Sequence, residues 1–447
     1  MKILFSNPPW WDIDPSNGQL LIGVRAGSRW PFTRYSVHKP GDFKLGGYLP
    51  FPFFLTSAAA MTQQLLAGAE IQVRDSIARG ETYDEFCAAV AQIAPDFVVI
   101  ETATAAWLHD QKVIRWLAAQ TKAKIILCGP LDCAKADSIL ADHPNVVAII
   151  KGEYDKQIAK VVGGKRGVLE HDLLTLKEMD SLSFPLHDPE TIRHYWDACP
   201  TGQKSPHLQL ITSRGCPYKC IFCVWPAVMT GNDPDGTRAR TVRCHTPEWV
   251  KASIIAQINA AADAGVRYNS IYLDDDTFNL TEKHTRAISQ VMKEIGLPWS
   301  AMCRADTVKA ETWQLMRDCG CFGVKLGFES GSQTVIDSII NKRLNLEKAA
   351  DTARMLKSIG MTVHGTFTVG LPGETAEQQK ETVAYIQNLY ATGGLDTHQL
   401  SGTAEIEGTP LHTLKVTGSL EKYAAAKIDE AYIANPDGAA KLRGMKL

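Results

Sequence analysis

Several features are missing from this chain of 447 residues, and each absence closes off a class of function. Charge of either sign is not in surplus, since the formal net charge is −2. Nucleic-acid binders and proteins of anionic membrane surfaces carry a basic excess, so neither partner is expected. Long apolar runs are missing too. The most apolar stretch, Tyr48 to Ala69, is broken by Pro50, Pro52, Gln63 and Gln64, which argues against a membrane span and for a loop leading into a buried helix. No secretory n-region opens the sequence. The eleven cysteines are therefore expected as thiols in a reducing cytoplasm, not as a disulfide framework. Repeats and low-complexity tracts are absent. What is present, 45% apolar and 21% charged residues, is the balance of an ordinary globular protein, long enough for two or three domains.

The stretch around which the chain is organised is Ser213-Arg-Gly-Cys-Pro-Tyr-Lys-Cys-Ile-Phe-Cys-Val-Trp-Pro226. Cys216, Cys220 and Cys223 stand at C-x3-C-x2-C spacing after the extended apolar run 207–212. Soft thiolate ligands are what iron–sulfur chemistry selects, and three on one loop can hold three irons of a [4Fe–4S] cluster with the fourth left open. A structural zinc site completed by Cys244, His245 or Cys199 is the alternative, although zinc sites usually pair their cysteines as two C-x2–4-C units. Gly215 and Pro217 would shape the loop. The spacing resembles that of the radical S-adenosylmethionine (SAM) enzymes. That resemblance implies that SAM chelates the open iron and is cleaved to methionine and a 5′-deoxyadenosyl radical, with an electron donor such as flavodoxin or ferredoxin. It also places Phe222 beside the adenine; plain loop packing is the other reading of this residue.

Before the cysteine loop, strand and helix patterns alternate. Strands are expected at 1–9, 70–75, 96–101, 124–128 and 146–151, with helices at 55–67, 83–93, 110–120 and near 134–141. Residues 10–50 look irregular. Such alternation means a doubly wound parallel sheet, whose ligands bind beyond the carboxyl ends of the strands. A Rossmann-like domain directly before a cysteine loop resembles the cobalamin-binding branch of the radical SAM superfamily. The Asn7-Pro-Pro9 start, the Gly129-Pro130 turn and the Gly152-Glu153 end match that branch. By this resemblance corrin would lie against Thr102, Thr104, Gly129, Pro130, Gly152 and Glu153, where small residues let backbone approach a flat ring. No D-x-H-x-x-G occurs, so no histidine is offered to cobalt from below. A domain that has lost corrin binding is the alternative.

From 207 onward the alternation restarts and yields six βα units, a partial (β/α)6 barrel with its reactive residues at the carboxyl ends of the strands. Asp274-Asp-Asp276, Arg304 with Asp306, Gly327-Phe-Glu329-Ser330 and Gly370-Leu-Pro-Gly373 fall at those ends. The resemblance puts Glu329 and Ser330 near the SAM ribose, a carboxylate being able to accept from both hydroxyls, and pairs Arg304 with the methionyl carboxylate. Taken singly, an acidic run after a strand is more often a helix cap or a solvated turn, and Asp274–Asp276 could serve substrate or structure. Cys303, Cys319 and Cys321 read as buried inert thiols. Gly408-Thr-Pro-Leu411 resembles the turn that follows the barrel in this family, and the tail beyond it is too short for the RNA-binding module of methylthiotransferases.

The expected organisation is a Rossmann-like, cobalamin-binding-type domain at 1–160, a connector at 161–205, a radical SAM partial barrel at 206–410 and a helical tail at 411–447. The leading functional expectation is a cobalamin-dependent radical SAM methyltransferase acting on an unactivated carbon of a small-molecule, lipid or sugar-derived substrate. A radical rearrangement, cyclisation or epimerisation without methyl transfer is the second reading. A zinc-stabilised binding module is the third.

Overall fold

The computed structural model describes residues 1–13, 20–23, 32–37, 49–103, 106–131, 135–195, 202–231, 233, 235–403 and 405–417. Thr104, Cys199 and the tail from 418 lie outside the described residues. Two six-stranded parallel sheets, each with its own core, make up the molecule.

In the first sheet the strands run in the order Glu70–Asp75, Lys2–Asn7, Phe97–Glu101, Lys124–Cys128, Val146–Ile150, Gly167–Leu169. Phe97–Glu101 is buried at every position, as a central strand covered on both faces must be. The chain leaves Lys2–Asn7 to one side and returns to the other, so the switch point of this sheet lies between Lys2–Asn7 and Phe97–Glu101. The sixth strand, Gly167–Leu169, falls within the stretch expected as a connector. Three residues headed by a glycine carry no period; pairing with the edge of Val146–Ile150 makes them a strand. Residues 10–50 are also less irregular than expected, because Trp11–Ile13, Leu20–Gly23 and Phe32–Val37 form an antiparallel sheet.

The second sheet keeps sequence order: His207–Leu210, Ser270–Leu273, Trp299–Cys303, Cys321–Glu329, Thr362–Val369 and Thr397–Gly402. The helix Glu282–Ile295 shows why the local sequence folds as it does. Thr281 caps its first turn by accepting from the His284 N–H, Gly296 closes it at φ +76°, and His284, Ile288, Val291 and Met292 bury one face, as helical spacing dictates. Behind the sheet, fully buried Trp299 packs edge-on against Phe278 at 5.7 Å and donates its indole N–H to the Cys319 carbonyl at 2.9 Å.

Buried charge joins the two halves. Arg214, two residues before the first cysteine of the loop, forks onto Asp155 at 2.8 and 3.0 Å, and Arg243 pairs with Glu153. Phe54 of the first half stacks on Trp225 with ring centroids 4.8 Å apart. Gln209, on the first strand of the second sheet, accepts the Phe51 N–H at 2.8 Å. Among the described residues, no helix is long and apolar enough to cross a membrane.

Candidate active site

The loop carrying the cysteines is gripped through its own backbone. Between Cys220 and Cys223, the Ile221 N–H donates to the Ile340 carbonyl at 3.1 Å and the Ile221 carbonyl accepts the Leu411 N–H at 2.9 Å. The Gly408–Leu411 turn singled out in the sequence thus braces the loop. Upstream, Asp275 accepts from the Thr212 N–H, the Thr212 hydroxyl and the Ser213 hydroxyl at 2.5–3.0 Å, while Asp276 accepts the Gly215 N–H at 3.0 Å. Gly215 sits at φ +97° with a missing Cβ that would fall 2.2 Å from the Thr241 carbonyl oxygen, so only glycine fits.

Held in this way, Cys216, Cys220 and Cys223 line one cavity with Phe222, Arg304 and Glu329. Counting the part open to solvent, the cavity holds about 1230 Å³. Burial pushes the Cys216 thiol up to about 11, with Asp276 and Cys220 adding to the shift, and burial also raises Cys220. Burial thus favours the protonated thiol at Cys216 and Cys220, and binding iron there would release those protons. Among the described residues, no group of three His, Cys, Asp or Glu side chains is arranged around one metal position. Two of the zinc partners considered above, Cys244 and His245, do not line the cavity: Cys244 lies in the short strand paired with Ser213–Arg214, and His245 stacks flat on Trp249 at 3.6 Å. Three soft thiols lining one cavity fit an iron–sulfur cluster by the chemistry of the donor set.

Glu329 ends its strand at φ +69°. Lys342 Nζ donates to its carboxylate at 2.9 Å and the Thr368 hydroxyl at 3.2 Å. Arg304 lines the same cavity, but its fork is taken by Asp306 at 2.5 and 3.0 Å. Its guanidinium also lies 3.7 Å from the centre of the Tyr218 ring. Pairing with a ligand carboxylate, as the resemblance implied, would have to displace Asp306. Ser330, which the resemblance put near the ribose, lies apart from this lining. It is buried and shares its hydroxyl with Thr382 at 3.1 Å and the Ser332 N–H at 3.1 Å, outside the cavity lining. Of the aspartates, Asp276 lines the cavity, while Asp275 is spent on the loop. Cys303 also reaches the cavity wall, its thiol raised well above the ordinary range by burial.

At the carboxyl edge of the first sheet, several residues expected to meet corrin meet protein instead. The Thr102 hydroxyl is bonded to Asp110. Gly152, at φ +68°, makes room for the His171 ring. Glu153 is buried, accepting from Arg243 and the Leu174 N–H. Gly129, at φ +98°, brings its Cα within a Cβ's reach of the Thr102 carbonyl, and Pro130 is buried beside it. What the edge does offer is Asn7. It is 1% exposed, at the end of Lys2–Asn7 beside the switch point, and neither atom of its amide has a hydrogen-bond partner. Buried amides are nearly always satisfied, so an unfilled one at this place suits a ligand bearing amide groups, as corrin does. Nothing in the sequence set Asn7 apart from the two prolines after it. Lys342, Tyr218 and Thr366 escaped sequence reasoning for a similar reason: each belongs to the site through the fold.

The comparisons agree with this geometry. Residues 210–386 match the model of the radical SAM superfamily. The chain carries a radical SAM domain. Outside the domain as well as within it, the chain is 24% identical over 376 residues to an uncharacterized methyltransferase of Pyrococcus horikoshii, covering 78% of this chain and 76% of that protein. It is 28% identical over 228 residues to the cytidylyl-2-hydroxyethylphosphonate methyltransferase of Streptomyces wedmorensis, covering 47% of this chain but only 39% of that one. In structure it resembles the radical SAM methyltransferase TsrM of Kitasatospora setae, solved with cobalamin and a [4Fe–4S] cluster bound. The TM-score is 0.64 at 16% identity, over 92% of this chain and 76% of TsrM. That likeness is one of fold, and at 92% of this chain it takes in more than the radical SAM domain.

Proposed function

We propose that this protein is a cobalamin-dependent radical SAM methyltransferase acting on an unactivated carbon of a small molecule, in the cytoplasm and with a flavodoxin- or ferredoxin-type electron donor. The observation that carries the reading is one cavity, lined by three cysteines of a braced loop and by Glu329 and Arg304, at the carboxyl end of a parallel six-stranded sheet. When bound, the cluster supplies the electron that splits SAM, and cobalamin supplies the transferable methyl group. The chain's own residues bind, orient and enclose. Cys216, Cys220 and Cys223 would hold the cluster. Glu329, held in the cavity by Lys342 and Thr368, would accept from ribose hydroxyls, a carboxylate having several acceptor positions. Phe222 and Trp225 add apolar wall that keeps water from the reacting centre. Asn7, at the switch point of the first sheet, is the residue best placed to meet the corrin side chains.

The relatives named as methyltransferases favour methyl transfer. One observation favours the second reading, a radical rearrangement without cobalt: Thr102, Gly152 and Glu153 are committed to protein partners at the edge where corrin would lie. Reconstitution with hydroxocobalamin, desalting and a visible spectrum separates the two. Retained corrin, and a product heavier than its substrate by one methylene unit, is the expected result. Cluster-dependent SAM cleavage without retained corrin would replace methyl transfer by rearrangement.

A further inference from the structure

The last two strands of the second sheet, Thr362–Val369 and Thr397–Gly402, pair in parallel with Thr366 opposite Gln399 and Thr368 opposite Ser401. Residues two apart on a strand share a face, and all four of these line the cavity that holds the cysteines. None carries a charge. Thr368 is engaged, donating to Glu329. Thr366 is not: it is 4% exposed, and its hydroxyl has no hydrogen-bond partner. An unmatched buried hydroxyl on a cavity wall is a donor and an acceptor waiting for a ligand. Ser401 accepts the Gln399 amide at 3.4 Å, which leaves its own proton to give.

The charges around this patch narrow what it can take. Arg304 is matched by Asp306 and Lys342 by Glu329, and Asp276 adds a further carboxylate to the lining. An anionic group would meet carboxylates, and the cations near it are already matched. An alkyl chain would leave the Thr366 hydroxyl unmatched and offer Ser401 no acceptor. We propose that Thr366, Gln399 and Ser401 form the substrate subsite, and that it takes an uncharged fragment bearing neighbouring hydroxyl or amide groups, not a phosphate, a carboxylate or a lipid chain. The proposal rests on the radical SAM reading of the cavity and names the substrate class for it.

The test uses full-length protein loaded with cluster and SAM, probed by ligand-observed NMR with myo-inositol, N-acetylglucosamine, myo-inositol 1-phosphate and 1-octanol. The two neutral polar probes should bind more tightly than the phosphate and the alcohol. Thr366→Val and Ser401→Ala should each weaken them about fivefold, the value of one neutral hydrogen bond, while Thr366→Ser, which keeps the hydroxyl, binds as the parent does. A midpoint of thermal unfolding on each sample separates lost binding from lost fold. The proposal is overturned if neither neutral probe binds, if the phosphate or octanol binds best, or if both hydroxyl deletions leave binding unchanged. It is equally overturned if they weaken SAM in place of the probes, which would assign the wall to SAM. Dithionite-driven SAM cleavage by the parent protein is scored in parallel. Cleavage without neutral-probe binding sinks the subsite alone, whereas no cleavage sinks the reading beneath it.

Discussion

Glu329 concentrates the residue-scale argument. A non-glycine residue at φ +69° is uncommon, and here the strained backbone delivers a carboxylate into the cavity, where Lys342 and Thr368 hold it. Glu329→Gln keeps the shape and removes the charge. If the carboxylate accepts from ribose, each bond it loses is worth roughly 1.5–3 kcal/mol, and SAM affinity should fall about tenfold or more with iron content unchanged. Unchanged affinity with a lowered unfolding midpoint would make Glu329 structural. The position of Glu329 was legible, since it ends an apolar strand. Its partner was not, because Lys342 arrives thirteen residues later through the short π-helix Val335–Ile340 and two residues of positive φ, Asn341 and Arg343. Asp110 gives a second residue-scale test. Burial pushes its carboxyl up to about 7, against an opposing hydrogen bond from Thr102. A raised acid binds its proton more tightly folded than unfolded, so its contribution is full below the ordinary carboxylate range and is lost as pH rises towards 7. Asp110→Asn removes that slope. Relative to the parent, its stability should improve by up to about 1.4 kcal/mol per pH unit between pH 5 and 7, measured by denaturant unfolding. Parallel curves for the two proteins would count against it.

At the scale of elements, alternation of strand and helix was readable because the central strands of the first sheet are apolar runs and helices such as Glu282–Ile295 carry caps at both ends. Phe97–Glu101 and Lys124–Cys128 are such runs. Gly167–Leu169 was not readable, since only its neighbour makes it a strand. Nor was the antiparallel sheet within residues 10–50, whose strands are only three, four and six residues long. The cysteine loop was readable as a ligand loop, but its anchoring was not. Asp275, in an acidic run that suggested substrate or a cap, holds the base of that loop by three hydrogen bonds. Asp275→Ala strands the Thr212 N–H and the Ser213 hydroxyl in a buried setting, the Thr212 hydroxyl keeping His284 at 2.9 Å. Stability should fall by about 2–4 kcal/mol, and iron should leave the loaded protein faster when a chelator is added. A variant with parental midpoint and parental iron retention would show that the loop does not depend on this carboxylate.

Across the whole molecule, the carboxyl edges of the two sheets meet through buried ion pairs that no local pattern reveals. Glu153 looked like a strand-end ligand, and its role became plain only with Arg243, ninety residues on, folded against it. Asp155 holds Arg214 at the mouth of the cysteine loop in the same way. Removing one member of such a pair leaves a buried charge uncompensated, at a cost of about 3–5 kcal/mol. Asp155→Ala should lower the unfolding midpoint accordingly, since Glu153 at 3.7 Å is a poor substitute. A change within experimental error would mean that the Asp155–Arg214 pair contributes nothing to holding the halves, leaving that to Arg243 on Glu153 and Phe54 on Trp225.

The account stands or falls on the thiols of the second sheet's first loop. Anaerobically reconstituted parent protein, assayed for iron, sulfide and 5′-deoxyadenosine, should hold one [4Fe–4S] cluster per chain and cleave SAM on reduction. The protein with Cys216, Cys220 and Cys223 all changed to Ala should do neither while keeping its fold by circular dichroism. A full cluster in the triple variant, or intact SAM over a fully loaded and reduced parent, would contradict it.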